Sequence, residues 1–130
     1  GIARSDALQM LAFPHSVVHA RTESDMVRDV AAAILELAPV QVVAGIPLNQ
    51  NGEPGLQAAR VSSLVEKLRV LIPVEIVMQD ERFSTAEALR VARDMKTRGK
   101  TRKAKVDQVA AALILQTYLD RRAAQAATKA

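Results

Sequence analysis

Two acidic residues that follow a short apolar run are the first candidates for chemistry. The run from Val74 to Met78 is rich in β-branched residues, which predicts a buried strand, and Asp80 and Glu81 stand at its end. Open α/β sheets place their sites at the carboxyl ends of strands. Successive side chains of an extended chain point to opposite sides. Unless the chain turns between Asp80 and Glu81, we therefore expect one of these acids to belong to a site and the other to have a structural role.

A third acid, Asp107, stands near the start of a segment that is apolar almost all round, Val106 to Leu115. Such a segment predicts a largely buried helix that begins at about this point. The helical neighbours of Asp107 at i+3, i+4 and i+7 are Ala110, Ala111 and Ile114. A half-buried carboxylate needs a partner, and a hard divalent cation suits two such groups. The alternative is that Asp107 only complements the positive end of its helix.

Positive charge is concentrated between positions 96 and 105, a window that contains no acid. Its six basic residues are Lys96, Arg98, Lys100, Arg102, Lys103 and Lys105. The chain has a net charge of +4, so the rest of it carries −2. Local basicity of this kind favours an anionic partner bound at one place. We interpret the window as a loop that would guide a phosphate chain past the carboxylates, with a solvated connector as the alternative.

Length and composition limit the remaining possibilities. The 130 residues predict one domain, 1–130, and the absence of cysteine excludes disulfides and thiolate zinc sites. No apolar run has the length of a membrane span or signal sequence, so we expect a cytoplasmic protein with no membrane partner. The three aromatic residues are too few for a base-stacking platform. His15 and His19 share a strand face, which is weak evidence for a metal site.

Periodicity and turn residues predict alternating strands and helices. Strands are expected at Gly1–Arg4 and Phe13–Ala20, where Pro14 favours a sheet edge, and at Val74–Met78. A further strand is expected at Val40–Ile46, whose continuous apolar run predicts that both of its faces are covered. A helix is expected from an N-cap at Ser24 to about Ala38, with one apolar face formed by Val27, Val30, Ala31, Ile34 and Leu37. Further helices are expected over Leu56–Leu71, from a capping box at Ser84 to about Met95, and from about Val106 to Arg122. The polar loop at 47–55 is either a connector or a functional loop, and the Ala-rich tail from about 123 is expected to be disordered.

Four segments together resemble one protein family. They are Gly1-Ile2-Ala3-Arg4-Ser5-Asp6, Val43-Ala44-Gly45-Ile46-Pro47-Leu48-Asn49 with Asn51-Gly52, Asp80-Glu81-Arg82-Phe83-Ser84-Thr85, and the stretch from Val106 to Gln116. In order and spacing they resemble the YqgF/RuvX family, the Holliday-junction-resolvase-like, putative pre-16S rRNA nucleases of bacteria. The match runs from Gly1 to about Asp120.

The resemblance implies an α/β, RNase H-like fold, with a mixed five-stranded sheet flanked by helices on both faces. It implies a nuclease that cleaves phosphodiesters of branched DNA or an rRNA precursor with Mg²⁺ or Mn²⁺. Glu81 and Asp107 take the family's catalytic and metal-binding roles, and Asp80 is a further candidate ligand. Arg82 joins the basic window as a nucleic-acid-binding residue. The resemblance leaves open DNA or RNA, one metal ion or more, and a monomer or a homodimer.

One feature of the family has no counterpart here. Its members begin with a central strand that carries an Asp-x-Gly motif, whose aspartate is a principal metal ligand, and this chain starts after it. We therefore expect the sequence to be part of a longer protein. Two alternatives to a nuclease follow: a nucleic-acid-binding module that keeps the fold and the basic window without catalysis, or a structural interaction domain that binds no nucleic acid.

Overall fold

The computed structural model of the chain describes residues 1–48, 51–81 and 100–129, and of residues 100–107 and 129 it describes only the backbone. In chain order the elements are β1 (Ile2–Ser5), β2 (Ala12–Ser16), α1 (Glu23–Leu37), β3 (Gln41–Ile46), α2 (Leu56–Leu71), β4 (Glu75–Asp80) and α3 (Lys100–Lys129). They belong to two compact units. The first is Gly1–Val17 with Arg82–Ala130, and the second is Val18–Glu81.

The N-cap of helix α1 in the second unit lies two residues earlier than predicted. Thr22, not Ser24, is the cap: its backbone is extended, and its hydroxyl accepts a hydrogen bond from the Asp25 N–H at 3.0 Å. Glu23 and Asp25 then place negative charge in the first turn, where the helix dipole favours it. The prediction was wrong because both residues have capping side chains, and only the path of the chain decides between them.

The core of the second unit lies among α1, α2 and β4. Helix α2 spans the predicted residues, and seven buried side chains form one cluster: Val27, Ala31, Ile34, Val65, Leu68, Ile72 and Ile76. The predicted inner face of α1 is confirmed in Val27, Ala31 and Ile34, with Val30 packed against them. Each Val, Leu or Ile side chain of the cluster stabilises the unit by about 1.5–3 kcal/mol when fully buried. This packing supports the strand that ends in the two acids.

Strands β3 and β4 pair in parallel. The register runs from Gln41 opposite Glu75 to Ile46 opposite Asp80 without interruption. Parallel strands require a crossover, which α2 supplies. Every residue of β3 is only half-buried, so the prediction of a strand fully covered on both faces was wrong. Both strands end at the same edge, where Ile46 lies opposite Asp80.

The first unit combines an antiparallel hairpin with one long helix. Strands β1 and β2 pair from Ile2 opposite Ser16 to Ser5 opposite Ala12, with a register shift after Ile2, and α3 packs against both strands. The predicted second strand is shorter than expected and ends at Ser16. Pro14 lies opposite Ala3 in a strand whose described pairing is with β1 alone.

Helix α3 differs from the prediction at both ends. Its described part starts at Lys100, so the segment Lys100–Lys105 is helical and not a loop, and it continues to Lys129 instead of ending near Arg122. Lys, Arg and Ala are good helix formers, and no Gly or Pro occurs after Gly99. Of its described side chains only Leu119 is fully buried. The prediction of a largely buried helix over Val106–Leu115 was therefore wrong, because its described side chains, from Gln108 onward, are half-buried and Val109 is exposed.

The architecture is mixed α/β, as the sequence predicts. Within residues 1–48, 51–81 and 100–129 the strands form two two-stranded sheets, β1-β2 and β3-β4. The five-stranded sheet is not formed by these residues. Among the helices that the structure describes, none combines the length and the apolar composition that crossing a membrane requires.

Candidate active site

The carboxyl edge of the β3-β4 pair carries two of the three predicted carboxylates. Asp80 is the last residue of β4, lies opposite Ile46 and is half-buried. By the alternation of a strand it shares its face with Ile76 and Met78, which belong to the core side of the sheet. Glu81 follows directly, outside the strand, and is also half-buried. The chain has therefore left the strand between the two acids, the one condition under which both could face a single site.

Gln79 is a residue of this edge that the sequence analysis did not select. Its side chain is 4% exposed, and within the described residues its Nε2 has no hydrogen-bond partner. A buried amide donor without a partner costs about 1–3 kcal/mol, so it is an uncommon feature immediately before a candidate acid. The available signal was a polar residue inside an otherwise apolar run.

The polar loop after β3 is closed on itself in its described part. Leu48 and Pro54 form an isolated antiparallel bridge, and the Leu48 N–H donates to the Ile46 carbonyl at 3.1 Å. The Asn51 carboxamide oxygen accepts from the Glu53 N–H at 3.1 Å. Gly52 has a φ of 85°, which a glycine adopts without the steric cost of a side chain. The bridge holds both ends of the loop together at the edge where β3 ends.

Asp107 lies in the first unit, as the eighth residue of the described part of α3. The helix-dipole effect falls off within the first turn, so complementing a helix N-terminus is a weaker explanation for Asp107 than the sequence indicated. Its neighbours Ala110, Ala111 and Ile114 are half-buried. The structure does not describe the Asp107 side chain, and a metal site shared by Glu81 and Asp107 stays a prediction.

The basic residues divide into two groups. The backbones of Lys100, Arg102, Lys103 and Lys105 lie in the first turns of α3. Arg82, Lys96, Arg98 and the helix predicted to begin at Ser84 lie outside the described residues. The charge of the two units differs strongly: the first has 13 Lys and Arg against five Asp and Glu, net +8, and the second has five against nine, net −4. The first unit therefore carries the attraction for an anionic partner.

A cation would need hard oxygen ligands here. Among the side chains that the structure describes, no group of three or more His, Asp or Glu could hold a metal ion. The carboxylates of Asp80 and Glu81 are the donor type that Mg²⁺ and Mn²⁺ prefer. His15 Nδ1 lies 2.8 Å from the Ser16 hydroxyl, in an exposed contact of β2. The two acids fit such an ion in chemistry, and a complete site needs further ligands.

Comparison with known proteins agrees with these observations. A family model described as RuvX, Holliday junction resolvase, matches residues 1–121. A protein of Roseiflexus sp. (strain RS-1), named "Putative pre-16S rRNA nuclease", is 38% identical over 120 residues, which are 92% of this chain and 85% of that protein. Proteins with the same name from Fusobacterium nucleatum and Chloroflexus aggregans are 40% and 34% identical, over 92% and 94% of this chain and 88% and 86% of their own lengths. The resemblance found in the sequence is thus confirmed, and the chain belongs to the RuvX family, described as Holliday junction resolvases.

Proposed function

We propose that this chain is a metal-dependent nuclease that hydrolyses phosphodiesters in structured nucleic acid, either the 5′ end of a pre-16S rRNA or a Holliday junction. Glu81 and Asp107 would hold Mg²⁺ or Mn²⁺, with Asp80 as a further ligand. The RNase H-like five-stranded sheet is part of this proposal. The observation that carries it is the pair Asp80 and Glu81 at the carboxyl edge of a parallel strand pair, in a chain of this family.

In this proposal the acidic residues serve the chemistry and the basic residues serve substrate binding. When bound, the metal ion activates a water molecule and neutralises charge on the scissile phosphate. Asp80, at the end of a strand that packs against the core, and Glu81, which follows it, would help to hold the ion. The basic residues from Lys96 to Lys105, with Arg82, bind the phosphate backbone. Such contacts position a nucleic acid but do not read its sequence, so we expect recognition of shape over sequence.

A cleavage assay tests this function. End-labelled precursor rRNA with its 5′ leader, and a four-way DNA junction, are incubated with the protein in Mg²⁺, Mn²⁺ or EDTA. We expect cleavage only with metal, and a loss of at least about a hundredfold for Glu81→Gln or Asp107→Asn, since each removes a metal ligand. The preferred substrate decides between RNA and DNA.

Two matched controls lie on the same elements. Glu75→Gln neutralises a carboxylate at the opposite end of β4, where Glu75 accepts a hydrogen bond from Gln41 at 3.1 Å. Asp120→Asn does the same further along α3, where Asp120 accepts from Gln116 at 2.9 Å. Both should cleave like the parent. Equal losses in controls and site variants, or cleavage that persists in EDTA, would contradict the assignment.

The charge distribution favours a second candidate, a binding module without catalysis. A unit with a net charge of +8 attracts nucleic acid whether or not a metal site is complete. This alternative predicts tight, salt-dependent binding of the same substrates with no cleavage at any metal concentration. It also predicts that Glu81→Gln leaves the affinity unchanged in Mg²⁺.

A further inference from the structure

The tip of the β1-β2 hairpin exposes large apolar side chains. Leu8 is 77% exposed, Met10 63%, Leu11 55% and Phe13 48%. These four residues, here called the hairpin tip, follow one another within six positions. Exposed apolar residues that stand singly need no explanation, but a contiguous group of them marks an interaction surface. Arg4, also exposed, lies directly opposite Phe13 in the hairpin register, so a positive charge borders the apolar group.

The hairpin tip is held rigidly from inside the turn. One carboxylate oxygen of Asp6 accepts hydrogen bonds from the N–H groups of Met10, at 2.8 Å, and Leu11, at 3.1 Å. These bonds lower the pKa of Asp6, because they favour its charged form. The Asp6 N–H donates to the Leu11 carbonyl at 3.0 Å, and Gln9 has a φ of 56°. These hydrogen bonds fix the backbone of the turn that carries the apolar side chains.

Helix α3 clamps the same turn from outside. The Gln116 side chain accepts from the Ala12 N–H at 2.8 Å and donates to the Met10 carbonyl at 2.9 Å, so it holds the backbone on both sides of Leu11. Arg122 donates to the Gln9 carboxamide at 2.6 Å and lies over the Tyr118 ring at 5.7 Å. Ordering a surface before binding reduces the entropy lost on binding. The hydrogen bonds from Gln116 and Arg122 order the turn while Leu8, Met10 and Leu11 stay exposed. This arrangement favours a ligand-binding role for the three side chains.

The charge of the unit selects the kind of partner. The hairpin tip belongs to the unit with a net charge of +8, so two copies meeting through their tips would bring like charges together. Nucleic acid has the complementary charge, and apolar side chains recognise it by inserting between base steps or against bases that have lost a neighbour. Along α3, the rise of about 1.5 Å per residue places Lys103 about 20 Å from Gln116. That is the length of about six base pairs, counted at 3.4 Å each.

We propose that the hairpin tip packs against the unstacked base at an open end or fork of a nucleic-acid duplex, while the basic turns of α3 bind the backbone about six base pairs away. This inference rests on nucleic-acid binding, the non-catalytic half of the proposed function. It goes beyond that function because it assigns recognition of a helix discontinuity to Leu8, Met10, Leu11 and Phe13. These residues lie outside the candidate metal site.

Binding measured in EDTA separates the inference from catalysis. The probes are a forked duplex and the same duplex with both ends closed by non-nucleotide linkers, each made as RNA and as DNA. The parent should bind the fork more tightly. Replacing Leu8, Met10 and Leu11 together with Ser should weaken fork binding at least about tenfold, because the apolar contact of these side chains with the unstacked base is lost. Binding of the closed duplex should stay within about twofold of the parent.

Two further variants guard against a trivial loss of structure. Leu56→Ser with Val70→Ser removes apolar groups that are 75% and 85% exposed in the net-negative unit, and it should leave both affinities unchanged. Gln116→Ala keeps the tip residues and the charge but removes the clamp, and it should weaken fork binding selectively and less than the triple variant. Thermal unfolding of the triple variant should match the parent, because the three side chains are exposed.

Several results would overturn the inference. Equal affinity of the triple variant and the parent for the fork would exclude the tip, and so would an equal loss on both probes. If the triple variant has a lower sedimentation coefficient than the parent, the hairpin tip is a self-association surface instead. If the triple variant loses binding to anionic phospholipid vesicles but binds the fork like the parent, the tip is a membrane-binding surface. If the parent binds neither probe, nucleic-acid binding itself fails, whereas the other results leave the proposed nuclease function standing.

Discussion

Glu23 shows how a single exposed carboxylate joins two helices of the second unit. It accepts from Lys67 Nζ at 2.7 Å and from the Ser63 hydroxyl at 2.8 Å, both on α2, while it sits in the first turn of α1. The hydrogen bond from Lys67, followed by that from Ser63, holds the pKa of Glu23 below its ordinary value. Gln79 is the opposite case, a buried polar group whose Nε2 has no partner among the described residues.

The lowered pKa of Glu23 predicts a pH-dependent contribution to stability. A depressed pKa in the folded state stabilises the protein above the unfolded-state value, and this stabilisation is lost as the pH falls through the folded-state value. The stability difference between the parent and Glu23→Gln should therefore be constant above about pH 5 and should shrink below pH 4.5. Urea unfolding from pH 7 to pH 3 measures it. Lys67→Gln should remove most of the same pH dependence, and a difference that grows towards low pH would contradict the ion pair.

The Nε2 group of Gln79, which is buried without a partner among the described residues, predicts a stabilising substitution. Gln79→Met keeps the length of the side chain and removes a buried donor without a partner, so the free energy of unfolding should rise by about 1 kcal/mol. Gln79→Glu, which places a carboxylate at the same buried position, should lower it. Both are read from urea unfolding at pH 7. If the Gln79→Met protein is less stable than the parent but cleaves normally, the amide has a structural partner. If the variant is more stable but cleaves poorly, the amide contributes to the active site.

At the scale of elements, the main finding is that the basic segment from Lys100 is part of a helix. A loop would leave its charges free to move, whereas a helix fixes them at regular intervals. Positions 100, 103 and 107 are spaced i, i+3 and i+7, the spacing of a single helix face, while 102 and 105 are not in that series. The charges of the segment should therefore differ in importance.

This spacing predicts unequal effects from two double substitutions of equal charge. Lys100→Gln with Lys103→Gln should reduce cleavage strongly, because these positions share a face with Asp107. Arg102→Gln with Lys105→Gln should mainly weaken binding. Each double substitution should reduce the slope of the logarithm of the binding constant against the logarithm of the salt concentration by up to about two, since each phosphate contact contributes about 0.9. Salt titrations and single-turnover cleavage separate the two effects. Identical behaviour of both pairs would mean that the segment acts only through its total charge.

For the whole molecule, charge and chemistry are distributed unequally. The unit Val18–Glu81 has a net charge of −4 and provides Asp80 and Glu81, while the other unit has a net charge of +8 and provides Asp107. A net-negative unit favours cations, and a net-positive one favours the nucleic-acid backbone. In the proposed metal-dependent nuclease, different parts of the sequence would therefore supply the metal ligands and most of the charge that attracts nucleic acid.

Metal-linked unfolding tests the carboxylates in the whole protein. If Asp107 and Glu81 bind the ion, Mn²⁺ should raise the unfolding temperature of the parent, since a ligand that binds only the folded state stabilises it. Asp107→Asn should be at least as stable as the parent without metal, because it relieves repulsion between like charges, and should gain nothing from Mn²⁺. Thermal unfolding with and without Mn²⁺ measures both, with Asp120→Asn as the control. A variant that is less stable yet responds fully to Mn²⁺ would remove Asp107 from the site.

The local pattern of the sequence was sufficient to predict many features of this structure. The sequence specified the order of the described strands and helices, the limits of α2, the inner face of α1 and the acids at the end of β4, because apolar periodicity and turn residues act over a few neighbours. The motifs specified the family. Local pattern misplaced the cap of α1 and the start of α3, because Thr22 and Ser24 are both good caps and a basic segment suits a helix as well as a loop.

Other features depend on contacts between residues far apart in the chain, and only the tertiary structure decided them. The parallel register that sets Asp80 opposite Ile46 arises from two strands that α2 separates. The burial of Gln79 and the Gln116 clamp on a turn more than 100 residues earlier are of the same kind. Their energies depend on which surfaces meet after folding, and no local window of sequence contains both partners. The sequence therefore named the acids, while the fold determined which surfaces surround them.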